Sequence, residues 1–141
     1  NVFYEIAADM PDVKAESDMN AWYPNIFDYL EYVNDRCQQS SADMLLFRED
    51  LRARYRSLGH GYWYLARETD RARVCYERWR DLLDDEDYSR GEVYMFMAHT
   101  YFSEDPARAR SLYERAIVEL SVSEEAWSVE LAVCYSRLGY L

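Results

Sequence analysis

A small residue followed three positions later by tyrosine recurs along this chain, and the spacing of the recurrence limits what the chain can fold into. Leu58-Gly59-x-x-Tyr62, Met97-Ala98-x-x-Tyr101 and Leu131-Ala132-x-x-Tyr135 place their tyrosines 39 and 34 residues apart. After the first comes Ala72-x-x-x-Tyr76. After the second comes Ala109-x-x-x-Tyr113-x-x-Ala116, and Trp127 stands ahead of the third. Self-similarity at this period points to stacked helical hairpins, in which each hairpin buries its apolar face only against its neighbours. The stretch 92–116 reads as one such hairpin.

Helical spacing supports this along the chain. Residues 1–22 read as a lead-in segment, interrupted by Pro11. From Pro24, the residues Ile26, Leu30, Val33 and Cys37 fall on one face of a helix over 24–38. That helix has no repeat partner before it, so it is expected to act as a cap or as an oligomerisation helix through which two copies pair. Ser40-x-x-Asp43 predicts a capping box. It opens a stripe of Met44, Leu51, Tyr55, Leu58, Tyr62 and Leu65, in one long helix near 42–66 or two end to end. Gly59 and Gly61 inside it each cost roughly 1 kcal/mol of helix stability relative to alanine, which a close helix crossing would explain. Ala72, Cys75, Tyr76, Trp79, Leu82 and Leu83 mark the next helix, capped by Thr69 or Asp70. Ser89-x-x-Glu92 and Asp105-Pro106 open two more. Ser123, Glu124 and Glu125 open the last, with a stripe of Trp127, Leu131, Cys134, Tyr135 and Leu138. No stretch reads as strand, so the expected class is all-α. The expected division is a lead-in over 1–22 and a repeat domain over 23–141, with hairpins at about 42–84 and 89–121 and an incomplete one at 123–141.

Composition narrows the function. The 141 residues suit about one domain, and half are hydrophobic, enough for a sizeable core. Fourteen tyrosines, four tryptophans and five phenylalanines are suited to packing between helices. A net charge of −11 argues against nucleic acid held through phosphates and against an anionic membrane surface. Three cysteines, Cys37, Cys75 and Cys134, form no C-x-x-C pair and fit reduced thiols of a cytoplasmic protein. No apolar run of 18 residues is present. The first residue is Asn and the last is Leu141, which suits a piece of a longer protein.

These residues resemble the tetratricopeptide repeat, a helix–turn–helix unit of about 34 residues. The resemblance covers roughly residues 52–139 and rests on the small residues, the tyrosines and the alanines already named. It implies a right-handed α–α superhelix, a solenoid of about three hairpins with an extra N-terminal helix. Two departures stand out. Trp79 replaces the alanine that the family carries in the second helix. The turn is longer in the first copy, where Tyr62 to Ala72 is 10 residues, than in the second, where Tyr101 to Ala109 is 8.

No catalytic signature, phosphate loop or metal-ligand spacing is present, so neither an enzyme nor a cofactor is expected. His60 and His99 each follow the small residue of their copy. They read as polar groove residues, or less plainly as paired imidazoles on a ligand. In the resembling family the first helix of each hairpin lines a concave groove that holds a peptide or helix. Carried over by spacing, that groove comprises Arg56, His60, Trp63 and Tyr64, then Met95, His99 and Phe102, then Val129, Val133 and Arg137. The expected function is therefore a protein-interaction module, serving as scaffold or regulatory domain of a larger protein. A small acidic secretion-type chaperone and an RNA-processing scaffold of the half-repeat type are the alternatives.

Overall fold

The computed structural model describes residues 26–87, 89–123 and 128–141, and among them every regular element is helical. The elements are α1 (Ile26–Gln38), α2 (Ser41–His60), a π-helical segment (Gly61–Ala66), α3 (Thr69–Asp81), α4 (Arg90–Tyr101), α5 (Pro106–Leu120), a single 3₁₀ turn (Ser121–Ser123) and α6 (Ser128–Tyr140). The chain divides into two compact units, one ending at Arg54 and one beginning at Tyr55.

In the first unit, α1 buries Tyr29, Leu30, Val33, Asn34 and Cys37, the face its spacing predicts. Gln38 Nε2 donates to Asn34 Oδ1 at 3.3 Å, so the buried side-chain amide has a partner one turn on. Half of the expected capping box forms at the start of α2, where the Asp43 N–H donates to Ser40 Oγ at 3.2 Å. Phe47 and Leu51 are the buried residues of this half of α2, whereas Leu45 and Leu46 point to solvent.

In the second unit, α3, α4, α5 and α6 pack in sequence, each against the next. The predicted stripe of α3 and its exit is buried throughout, from Ala72 to Leu83, and so are Ala109, Tyr113, Ala116 and Leu120 on α5. Asp105 caps α5 by accepting the Arg108 N–H at 3.2 Å, with Pro106 in the first turn. Two other expected caps are corrected. α3 already begins at Thr69, so neither Thr69 nor Asp70 stands outside the helix, and Glu68 is its cap without a side-chain bond. Ser89 caps α4 with helical backbone angles and no side-chain bond, and its own N–H donates to Asp87 Oδ1 at 2.8 Å. The caps expected at Ser123, Glu124 and Glu125, and Trp127, lie outside the residues whose side chains are described.

The longer turn of the first copy has a physical form. After His60 the backbone widens to π-helical winding, and Arg67 then turns left-handed at φ 57°. The Glu68 N–H closes this ending on the Tyr62 carbonyl at 2.9 Å. Wider winding advances fewer degrees per residue, which carries Leu65 off the buried stripe and leaves it 82% exposed. Gly59 and Gly61 therefore differ. A Cβ on Gly59 would stand 2.7 Å from Tyr76 Cε1 and 3.3 Å from Cys75 Cβ, so this glycine permits a close crossing of α2 and α3. A Cβ on Gly61 would meet nothing within 4 Å. Gly91, at the start of α4, sits as tightly, 2.5 Å from Leu120 Cγ by the same measure.

Candidate functional site

The close crossing at Gly59 brings the ring of Tyr76 under the end of α2, and its hydroxyl lies 2.8 Å from Nδ1 of the adjacent His60. One hairpin on, His99 follows Ala98 and its Nδ1 is hydrogen-bonded to the hydroxyl of Tyr113. The two hairpins thus make the same bond from equivalent positions. Both tyrosines are fully buried, so each phenol needs a partner, and burial pushes their ionisation well above the usual range. Burial, with Arg56 beside His60 and Arg137 beside His99, lowers both imidazoles to about 4. At neutral pH each is uncharged, and in the tautomer that carries its proton on Nε2 the Nδ1 accepts a hydrogen bond from the phenol.

A second contact is also made twice. The Arg71 guanidinium lies over Tyr62 at 5.7 Å, and Arg108 lies over Tyr101 at 4.4 Å. In each hairpin the arginine directly precedes the alanine of the second helix, so it reaches back across the turn to the tyrosine of the first.

Between the two imidazoles lies Phe96. Its ring is 4.3 Å from His60, 5.8 Å from His99 and 5.8 Å from Tyr76, nearly parallel to the last. Trp79 closes the cluster at 6.4 Å from Phe96. The tryptophan that stands in place of alanine on α3 therefore fills space against α4. Arg56 lies over Trp79 at 5.5 Å, and its Nη2 donates to Glu92 Oε1 at 2.6 Å. Arg73 makes a further link from α3, lying 3.9 Å over Tyr101 while donating to the Thr100 carbonyl at 2.5 Å and to Glu104 at 2.8 Å.

The residues expected to form a groove separate into groups. His60, Tyr64, His99, Phe102 and Arg137 come together. Tyr64 is 53% exposed and 6.0 Å from His60, and Trp63 is 6.5 Å from Tyr64. Arg137 of α6 lies 5.1 Å over Phe102, and its charge acts on His99, Tyr64 and Tyr113. Arg56 is exposed but engaged with Glu92 and Trp79. Met95 is corrected, because at 6% exposure its side chain belongs to the interior and offers a ligand almost nothing. Val129 is exposed and Val133 half-buried on α6.

Phe96 is the residue that spacing alone missed. It lies four residues after Glu92 and three before His99, which puts it on the same helical face as both. Among the described residues no three His, Cys, Asp or Glu side chains converge as a metal site, and no helix is long and apolar enough to cross a membrane. The three cysteines are buried and form no disulfide among the described residues, and burial followed by Glu130 pushes the Cys134 thiol up to about 12. No protein-family model matches the sequence, and neither a curated protein nor a solved structure matches it.

Proposed function

We propose that this chain is a non-enzymatic protein-interaction module of tetratricopeptide-like hairpins, arranged as a right-handed α–α solenoid. It holds a peptide or helix of a partner protein on the aromatic face formed by Tyr64, Phe96, His99 and Phe102. The observation that carries this reading is the juxtaposition of the π-helical segment and α4 with its exit on that face, with Tyr64 half-exposed and Arg137 of α6 at its edge. Open aromatic side chains on a rigid base suit apolar anchors of a ligand. The imidazoles are neutral and each bonded to a buried tyrosine, which suits a supporting role better than proton transfer. Arg137 makes no ion pair among the described residues, so a carboxylate next to the apolar anchor would be favoured.

Selection from a displayed peptide library with the full chain as bait tests the reading. Enriched peptides should share an apolar anchor beside an acidic residue. Their affinity should fall about tenfold with Tyr64→Ala, a change at an exposed side chain that leaves the fold intact. Enriched peptides that bind Tyr64→Ala as tightly as wild type would remove the proposed face from consideration.

A further inference from the structure

The histidine–tyrosine bond made twice in the second unit decides where each imidazole carries its proton. Tyr76 and Tyr113 are fully buried, and among the described residues the bond to histidine is the one hydrogen bond that either phenol makes. With the proton on Nδ1 the phenol could only accept, and its own O–H would be left buried without an acceptor, which is costly. With the proton on Nε2 the phenol donates to Nδ1, and no donor is left unpaired in the interior. Both histidines therefore take the Nε2–H tautomer. The two ring nitrogens diverge, so a ring that turns Nδ1 towards a buried phenol turns Nε2–H away from it. Both rings are half-buried, and among the described residues neither Nε2–H has an acceptor. The charged groups that act on them, Arg56 on His60 and Arg137 on His99, are themselves donors.

The two donors stand at equivalent positions, one in each hairpin, with the Phe96 ring 4.3 Å from one imidazole and 5.8 Å from the other. A ligand that satisfies both needs two acceptors at a regular interval beside an apolar group. An extended peptide has them, because the carbonyls along one of its edges recur every two residues, about 7 Å apart. A helix does not, because its carbonyls are already bonded within the helix. Resting on the protein-interaction reading above, we infer that the partner segment is extended and that His60 and His99 hold it by its main chain. Each Nε2–H donates to a carbonyl oxygen, the two carbonyls lying two residues apart, while an apolar side chain of the segment lies on Phe96 and Tyr64. This grip is indifferent to side chains, so sequence preference comes from the apolar anchor and from Arg137 at the edge.

The test uses the full chain with nitrogen-15 in its two histidines, read at pH 7 by long-range proton–nitrogen correlation, and the peptides enriched by the display selection. In the free chain both rings should show a protonated Nε2, exchanging fast with water, and a bare Nδ1. A proton on Nδ1 would overturn the inference, and so would an Nε2–H already protected from exchange, because another segment of this chain would then occupy the donor. On adding a selected peptide, both Nε2–H protons should move downfield and become protected. Replacing its amides one at a time by esters, whose carbonyls accept poorly, should weaken binding about fivefold at two positions two residues apart, the worth of one hydrogen bond each. Peptides that depend on Tyr64 yet leave the Nε2–H protons unmoved, give a flat ester scan or bind as helices would overturn this inference and leave the interaction reading standing. Peptides indifferent to Tyr64→Ala, or a selection that enriches none, would remove both.

Discussion

Gly59→Ala and Gly61→Ala stand two residues apart, and the structure predicts opposite outcomes for them. In an unobstructed helix, alanine for glycine gains about 1 kcal/mol. At Gly61 nothing lies within 4 Å of the new methyl, so most of that gain is expected. At Gly59 the methyl would stand 2.7 and 2.9 Å from two carbons of the Tyr76 ring. That ring cannot swing aside cheaply, because it is fully buried and its hydroxyl is held by His60 at 2.8 Å. Overpacking costs about 1–3 kcal/mol, and against a ring pinned in this way the upper part of that range, about 2–3 kcal/mol, applies. After the propensity gain, Gly59→Ala should be destabilising by about 1–2 kcal/mol. With about 2–4 °C per kcal/mol for a chain approaching this size, its melting temperature should fall by about 2–8 °C while that of Gly61→Ala rises by about 2–4 °C. Circular dichroism at 222 nm on heating, repeated in urea, measures both. Equal stabilisation by the two substitutions would refute the close crossing and, with it, the packing that places His60 on Tyr76.

Three further outcomes follow from other contacts. Gly91→Ala should be more damaging than Gly59→Ala, destabilising by about 3 kcal/mol in total in urea titration, because the methyl would meet both the Leu120 side chain at 2.5 Å and its backbone nitrogen at 3.0 Å. Arg67→Gly should stabilise by about 1 kcal/mol in the same assay, because Arg67 holds a left-handed φ of 57° that glycine adopts without strain. His60 and His99 ionise near 4 in the fold against 6.5 when unfolded, so the unfolded chain binds more protons between those limits. Their contribution is complete above pH 6.5 and is lost as pH falls towards 4, by about 1 kcal/mol per pH unit for the pair after allowing for partial solvent screening. Comparing urea midpoints of wild type and a His60→Asn, His99→Asn double variant at pH 7.0, 6.0 and 5.0 isolates this slope from that of the carboxylates. Parallel pH dependence in the two proteins would contradict it.

Much of the second unit was legible because side-chain period and burial coincide there. The stripes of α3 and α5, and the equivalence of His60 and His99 beside Gly59 and Ala98, are positions on a straight helix and need only counting. What escaped depends on facts outside a regular helix. The π-helical turn absorbs the longer connection of the first copy and rotates Leu65 out, and no α-helical wheel anticipates it. Met95 and Phe96 exchanged roles because neighbouring positions on one helix can both satisfy a three-or-four spacing, and only the packed partner decides between them. Tyr135 follows the repeat in sequence yet is 61% exposed, so the repeat pattern alone does not decide burial. Arg73 was invisible for another reason. Its bonds to Thr100 and Glu104 join residues 27 and 31 positions away, and no local pattern encodes them.

The most direct test of the central claim is chemical-shift mapping of the labelled chain with a peptide taken from the display selection. The account predicts that the largest changes fall on the side chains of Tyr64, Phe96, His99 and Phe102 and on the Arg137 guanidinium, while Leu45 and Leu46 on α2 stay unmoved. Changes concentrated on α2 or on the acidic loop at Asp84–Asp87, with the aromatic signals static, would contradict it.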